Sequence, residues 1–293
     1  MVCPAKYQET MDQYCVMGNP VAHSQSPWIH ARFAELTGQS LHYGRRLVEA
    51  GGLVDAVRGF AAEGGKGCNI TVPFKFEARA LAQRTSERAL LAQAANLLSF
   101  EPEGIFADNT DGIGLVQDIE VNAGFNLHGR QVLLVGAGGA AAGVLGPLIL
   151  ARPAGITVAN RTRDKALSLV ERHAPLATLH RVTLQTSDLE SVPGQFDLVI
   201  NATVSSLSGA GSPVAASTLK PGTLVYDMMY GPAAQDFMAW AQAHGAQARD
   251  GLGMLVEQAA EAYAIWRGVR APSAQVLAEL RRHLAQGTDR TPR

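Results

Sequence analysis

Six small residues, Gly136-Ala137-Gly138-Gly139-Ala140-Ala141, carry the most specific chemistry in this chain. They fit the spacing G-x-G-x-x-A, directly after the apolar run QVLLV and before a small-residue segment of helical composition. In that setting Gly136 permits a tight turn, Gly138 lets a pyrophosphate approach the backbone, and Ala141 lets a helix pack closely on the strand. The free N–H groups and positive dipole end of the helix then face the phosphates. Glycine turns occur in many α/β proteins, but this one is followed, about 20 residues on, by a second apolar strand. That placement marks a dinucleotide site.

The end of the second strand selects the dinucleotide. NAD-binding chains put a carboxylate there to hold the ribose 2′-hydroxyl. Here the residues are Asn160, Arg161, Thr162, Arg163 and Lys165. Nothing among them repels a 2′-phosphate, and several cations and a hydroxyl could hold one. The alternative, a merely exposed basic helix start, is disfavoured because cations there oppose the helix dipole. The pattern favours NADP over NAD.

Other polar residues carry two readings. In NITVPFK, Ile70, Val72 and Phe74 alternate with Thr71 and Lys75 as in a half-buried strand, and Pro73 ends it by removing a ladder donor. Lys75 is left at the strand's end, either solvated or aimed at something. Asn109-Thr110-Asp111-Gly112 has the composition of a turn and helix cap, a reading that suits Thr110. Asp111 can cap and act chemically as well. Ser26 is expected as an N-cap before Pro27, whereas Ser24 has no such structural duty. Two hydroxyls beside one helix N-terminus would suit a carboxylate. Gln258 lies on an apolar stripe, where a buried amide needs a partner; a satisfied core glutamine and a ligand-binding one are equally good readings. His23, His30 and His42 read as structural or surface residues.

The elements that must position these groups follow a repeated pattern of short apolar strand, loop and amphipathic helix, the mark of an α/β protein. Strands are expected at 14–18, 69–75, 96–100, 104–109, 131–135, 155–162, 196–203 and 222–230. Helices are expected at 26–37, 53–63, 85–95, 112–123, 139–150, 163–173, 232–244, 254–266 and 273–285. A glycine-rich turn is expected at 64–67, and loose tails at both ends.

Bulk properties narrow the function classes. A length of 293 residues suggests roughly two domains. With 25 basic and 26 acidic residues and a formal charge of −1, no Lys/Arg-rich face for nucleic acid is signalled. The eight histidines lack metal-ligand spacing, so no metal is expected. The three cysteines, Cys3, Cys15 and Cys68, show no disulfide framework and point to a reducing, cytoplasmic compartment. No signal-peptide core opens the chain, and no apolar run approaches the roughly 20 residues needed to span a bilayer.

Taken together, GNPVAHSQSP, NITVPFK, AAN, DNTDGIG, VGAGGAA, NRT, INAT, YDMMY and DGLGMLVEQAA resemble the shikimate dehydrogenase family, in its order and spacing from about residue 14 to 269. The resemblance implies an α/β substrate domain (residues 12–112, with helices of 251–286 packing back on it) and a Rossmann-like NADP-binding domain (113–250), with the site between them. It implies NADP-linked interconversion of 3-dehydroshikimate and shikimate. By the same resemblance Ser24 and Ser26, with Tyr230 nearby, would hold the substrate carboxylate. Thr71, Asn96, Asp111 and Gln258 would hydrogen-bond the ring hydroxyls, and Lys75 and Asp111 would be the acid/base and its orienting partner. Gly136, Ala137, Gly138, Gly139, Ala140, Asn160, Arg161, Thr162, Lys165, Thr203, Met228 and Gly251 would line the cofactor. The partner expected is a small molecule, with no nucleic acid and no membrane, in a monomer or homodimer. Leu97, Ala142 and Val204 depart from the family pattern, and Lys165 replaces its usual arginine. A quinate/shikimate enzyme and a non-catalytic NADP sensor are the alternatives, and the Lys75–Asp111 pair disfavours the second.

Overall fold

The computed structural model describes residues 11–203 and 212–288; Val204, Cys3 and most of both expected tails lie outside the described residues. Two six-stranded sheets organise the chain. The first contains β1 (Asp12–Gly18), β2 (Leu41–Leu47), β3 (Gly65–Ile70), β4 (Arg84–Thr85), β5 (Leu97–Glu101) and β6 (Gly104–Asp108), in the order β2-β1-β3-β5-β6-β4. β1 pairs in parallel with β2 and β3, which requires crossovers; α1 (Ser26–Thr37) and α2 (Leu53–Ala62) supply them. β3, β5 and β6 are antiparallel neighbours.

Side chains alternate across this sheet. Tyr14 and Val16 face α1 and the C-terminal helices α9 (Leu252–Arg267) and α10 (Ser273–Thr288). Cys15 and Met17 face α2 and the short α3 (Lys75–Ala80). The C-terminal helices therefore close the first layer, and each fully buried Leu, Val or Phe in it contributes roughly 1.5–3 kcal/mol.

α5 (Asp111–Gln117) leads through a π-helical turn, Asp118–Asn122, to the second sheet. Its strands are β7 (Gln131–Val135), β8 (Gly155–Asn160), β9 (Thr183–Asp188), β10 (Phe196–Asn201), β11 (Leu219–Asp227) and β12 (Gln247–Arg249). All pair in parallel, in the order β12-β11-β10-β7-β8-β9. Read from β9, this is the doubly wound order 3-2-1-4-5-6. α6 (Gly139–Leu150) and α7 (Arg163–His180) cover one face with α5, and α8 (Gln235–Ala243) covers the other. Burial on both faces explains why QVLLV, GITVA and FDLVI read as continuous apolar runs.

Both chain crossings between the sheets meet at Asp118, which is fully buried. Arg249 donates to it from Nε (2.9 Å) and Nη2 (2.6 Å), and the Tyr226 hydroxyl donates at 2.7 Å. Gly253 passes so close that a Cβ there would collide with the Asp118 carboxylate.

Several expected elements are corrected. The strand at 69–75 ends at Ile70, and Lys75 opens a helix. Gly65 and Gly67 belong to β3, so the turn is shorter than 64–67. The helix expected at 85–95 is α4, Glu87–Ala92: Thr85 ends β4, Ser86 caps the helix by accepting from Ala89 N, and Gln93 is left-handed. α7 runs past the expected end at 173, through Pro175, because His173 and Ala177 are buried against the core and offset the roughly 3 kcal/mol proline penalty. α10 extends to Thr288, into the expected tail. The edge strands β2, β4, β9 and β12 carry no clear sequence signal; they are polar or very short.

Candidate active site

Lys75 stands at the first position of α3, where a cation opposes the helix dipole. Asp111 stands at the first position of α5, where a carboxylate is favoured. Lys75 Nζ donates to Asp111 Oδ2 at 2.5 Å, and both side chains are largely buried, 13% and 7% exposed. The lysine's unfavourable placement is thus offset by a carboxylate aimed at it.

Asn96 ties this pair to its surroundings. Its Nδ2 lies 2.9 Å from Asp111 Oδ1, 2.9 Å from Thr110 Oγ1 and 3.2 Å from Gln258 Oε1. An amide nitrogen has two hydrogens for these three acceptors. Asn96 Oδ1 accepts from Thr110 N at 2.8 Å and from Thr110 Oγ1 at 3.2 Å. The Thr110 hydroxyl also lies 3.4 Å from Gln258 Oε1, so one hydrogen has two acceptors. Gln258 Nε2 is held by Leu255 O at 2.8 Å. The network has more acceptors than hydrogens, a deficit that an incoming hydroxyl can fill. Thr110 is therefore not a side-chain cap: it puts its hydroxyl into the network, and Asn109 Oδ1 accepts from Asp111 N instead.

A buried chain of hydrogen bonds runs from Asn96 toward the expected carboxylate end, as far as Tyr43. Asn69 Nδ2 donates to Asn96 O at 3.1 Å, and the Tyr43 hydroxyl donates to Asn69 Oδ1 at 2.6 Å. Burial keeps the Tyr43 hydroxyl well above the usual phenol range, and the nearby Ser26 lowers it. Ser24 Oγ donates to Ser26 Oγ at 3.2 Å and accepts from Ser26 N at 3.3 Å. The cap roles are thus reversed: Ser26 is the first helical residue, and Ser24 holds its N–H. At Tyr230 burial raises the hydroxyl, while the Gln25 backbone and the nearby Arg45 lower it. Thr71 follows β3 and presents a hydroxyl that makes no hydrogen bond among the described residues. Leu97 is fully buried at the start of β5.

Tyr43 and Asn69 are the network members that composition and spacing do not single out, and Thr110 is singled out only as a cap. Asn69, a polar residue amid the apolar pattern of NITVPF, is the one signal that could have been weighed.

The glycine turn lies where the doubly wound order reverses, beyond the carboxyl ends of β7 and β10. Gly136 has φ +115°, a value side chains rarely adopt, and Ala202 O and Thr203 Cγ2 lie 3.1 Å from where its Cβ would be. Gly138, the N-cap of α6, is exposed, and a Cβ there would meet no atom of the described residues within 4 Å. A Cβ on Gly139 would come within 3.3 Å of Lys75 Cβ, so the turn faces the Lys75–Asp111 pair directly. Ala137 and Ala140 complete the turn; Ala142 is buried in the core beneath it. The cradle is open where a pyrophosphate would lie and furnished with unsatisfied helix N–H groups, so its residues fit a dinucleotide.

At the end of β8, Asn160 Nδ2 donates to Thr162 O at 2.8 Å and shapes the loop. Arg161, Arg163 and Lys165 are exposed and make no ion pair among the described residues. Thr203 donates from Oγ1 to Asn201 Oδ1 at 2.7 Å, and Met228 N donates to Asn201 O. Gly251 packs its backbone directly on the Met228 carbonyl, leaving no room for a Cβ. No helix among the described residues is long and apolar enough to cross a membrane.

A doubly wound parallel sheet whose glycine turn abuts a buried Lys–Asp pair defines a class: an oxidoreductase that works with a dinucleotide. Comparison with known proteins is specific. The shikimate dehydrogenase substrate binding domain matches residues 16–98, shikimate / quinate 5-dehydrogenase matches 119–214, and the shikimate 5'-dehydrogenase C-terminal domain matches 251–281. The shikimate dehydrogenase (NADP(+)) of Acidovorax sp. (strain JS42) is 64% identical over 276 residues, covering 94% of this chain and 98% of that one. Among solved structures, an Ael1 enzyme from Pseudomonas putida superposes with a TM-score of 0.82 at 45% identity, over 92% of this chain and 98% of that one. The shikimate 5-dehydrogenase of Thermus thermophilus, in complex with NADP(H) and shikimate, gives 0.81 at 29% identity, over 93% and 99%. The chain belongs to the shikimate dehydrogenase family.

Proposed function

We propose that this protein catalyses the reversible, NADPH-dependent reduction of 3-dehydroshikimate to shikimate in the cytoplasm, on the route to aromatic amino acids. The observation that carries the mechanism is the 2.5 Å contact of Lys75 Nζ with Asp111 Oδ2 beside the glycine turn. Residues 12–112 with 251–286 act as the substrate domain, and 113–250 as the cofactor domain. The protein acts on a small molecule, without nucleic acid or membrane, as a monomer or homodimer.

NADPH supplies the hydride when bound, and the residues of the turn, Gly136 to Ala140, with Asn160, Arg161, Thr162, Lys165, Thr203, Met228 and Gly251, would hold it. Reduction of a ketone leaves an oxyanion that must be stabilised and protonated as it forms. Lys75 donates hydrogen bonds to that oxygen and gives it a proton; in the oxidative direction it takes one back. Asp111 orients the ammonium and shares the proton. Asn96, Gln258 and Thr71 hold the ring hydroxyls, and Ser24, Ser26 and Tyr230 hold the carboxylate. A network with too few hydrogens for its acceptors suits a polyhydroxylated ligand, whose own O–H groups complete it.

The test is turnover of purified protein with shikimate or quinate and with NADP⁺ or NAD⁺, in all combinations, followed by nicotinamide absorbance. Shikimate with NADP⁺ is expected to be the best pair. No turnover with any pair would sink the enzymatic reading, and preference for quinate or NAD⁺ would sink the specific one.

A further inference from the structure

Arg45 and Arg46 are adjacent on β2 and point to opposite faces of the sheet. Arg46 is neutralised by Glu63 and lies over the Phe60 ring. Arg45 makes no ion pair among the described residues; it donates from Nε (3.0 Å) and Nη2 (2.5 Å) to a single acceptor, the carbonyl of Ser24. Two donors converging on one oxygen fix the planar guanidinium instead of leaving it free in solvent.

The acceptor is the carbonyl of the Ser24–Gln25 peptide, which leads directly into α1 at Ser26. The flanking Ser24 hydroxyl is in turn bonded to Ser26 N and Oγ. Two of the hydroxyl groups assigned to the substrate carboxylate, those of Ser24 and Ser26, thus hang from a backbone segment that Arg45 holds.

Neutral hydroxyls alone are a poor exchange for the water a carboxylate gives up; a cation in range improves it. Lys75 is committed to Asp111 at the other end of the network. We propose that Arg45 is a positioning and specificity-determining residue for the anionic end of the substrate. It fixes the Ser24–Gln25 peptide, and through it the Ser24 and Ser26 hydroxyls, and it supplies the positive potential that favours a carboxylate there. The inference rests on the substrate assignment above.

The experiment compares wild type, Arg45→Met and Arg45→Lys with shikimate and with its neutral methyl ester, the ester measured as substrate or as competitive inhibitor. Arg45→Met is expected to raise KM for shikimate about tenfold, the scale of one charge-assisted contact. Its kcat should change by less than about twofold, KM for NADP⁺ should be unchanged, and the constant for the ester should rise clearly less than KM for shikimate. Arg45→Lys, which keeps the charge but not the fork, should recover part of the loss. Raising salt should increase the wild-type KM for shikimate more than that of Arg45→Met. Wild-type turnover with an unchanged KM in Arg45→Met overturns the inference alone, as do equal losses for acid and ester, which would mean a purely structural role. Absence of wild-type turnover overturns the substrate assignment and the inference with it.

Discussion

Arg249 lays its Nε and Nη2 on the two carboxylate oxygens of Asp118, 131 residues away in the chain, at 2.9 and 2.6 Å. One partner lies where the chain enters the second sheet and the other where it leaves. The contact clamps the two crossings together. Asp118→Asn removes the charge and leaves the guanidinium without its partner, a change expected to cost about 3 kcal/mol. Urea unfolding of the variant and wild type measures it, and equal midpoints would refute the assignment.

Replacing Lys75 with Met is expected to lower kcat by roughly 10²–10⁴-fold, the usual contribution of a positioned acid/base. NADPH affinity, followed by nicotinamide fluorescence, should change little. Asp111→Asn should lower kcat too, with a weaker effect on KM for the cofactor. Near-wild-type turnover in Lys75→Met would show that another group moves the proton.

Gly138 isolates cofactor binding from folding. Because a Cβ there meets no atom of the described residues within 4 Å, Gly138→Val should melt at the wild-type temperature. Its branched side chain would nonetheless stand where the pyrophosphate approaches. A rise of roughly tenfold in KM for NADP⁺ is expected, within the range of overpacking costs. A lowered melting temperature with unchanged KM would contradict the assignment.

Dinucleotide preference should lie in the cations after β8. The double variant Arg161→Glu, Lys165→Glu replaces attraction for a 2′-phosphate by repulsion. The ratio of kcat/KM for NADP⁺ over NAD⁺ is expected to fall by at least about tenfold. An unchanged ratio would move the 2′-phosphate site elsewhere.

Stability should fall on mild acidification through two buried histidines. Burial pushes His30 down from 6.5 to about 3 and His173 to about 4. Below the ordinary value of 6.5 the unfolded chain takes up protons that the folded chain refuses. The stabilising contribution is therefore complete above 6.5 and is lost as pH falls through the window toward 4 and 3. Each group contributes a slope of about 1.4 kcal/mol per pH unit. The His30 nitrogens have no hydrogen-bond partner among the described residues, and its ring stacks on Tyr43 at 4.1 Å, so His30→Phe should remain folded. Its stability between about pH 6 and 4.5 should fall less steeply than wild type by about that slope. Parallel curves would argue against a neutral, buried His30.

The central strands and the glycine turn were legible because burial on both faces and phosphate chemistry leave local marks. QVLLV, GITVAN and FDLVIN are apolar for the first reason, and Gly136 to Ala141 are small for the second. The edge strands escaped notice because they bury little: β9 reads TLQTSD, and β12 has three residues. At the site, Lys75 and Asp111 could be picked out by type and motif, but their helix-start positions could not. Pro73 made a strand end visible without showing that a helix begins two residues later. Ser24 and Ser26 exchanged roles because either hydroxyl can cap, and only the backbone angle at Gln25 decides between them. The path through Tyr43 and Asn69 joins residues from separate strands, and no local pattern records such a meeting.

Asn96 gives the site a property that belongs to lineages more than to single molecules. Its one amide is shared by Asp111, Thr110 and Gln258, so a replacement at any of the three frees or strands a hydrogen for the others. The effects of such replacements will not add: a Gln258 change tolerated beside Thr110 can be harmful beside serine or valine, and the reverse. Substrate range in descendants of this sequence can therefore shift only along mutational routes that change these positions in compatible order, with Asn96 the last of them free to vary.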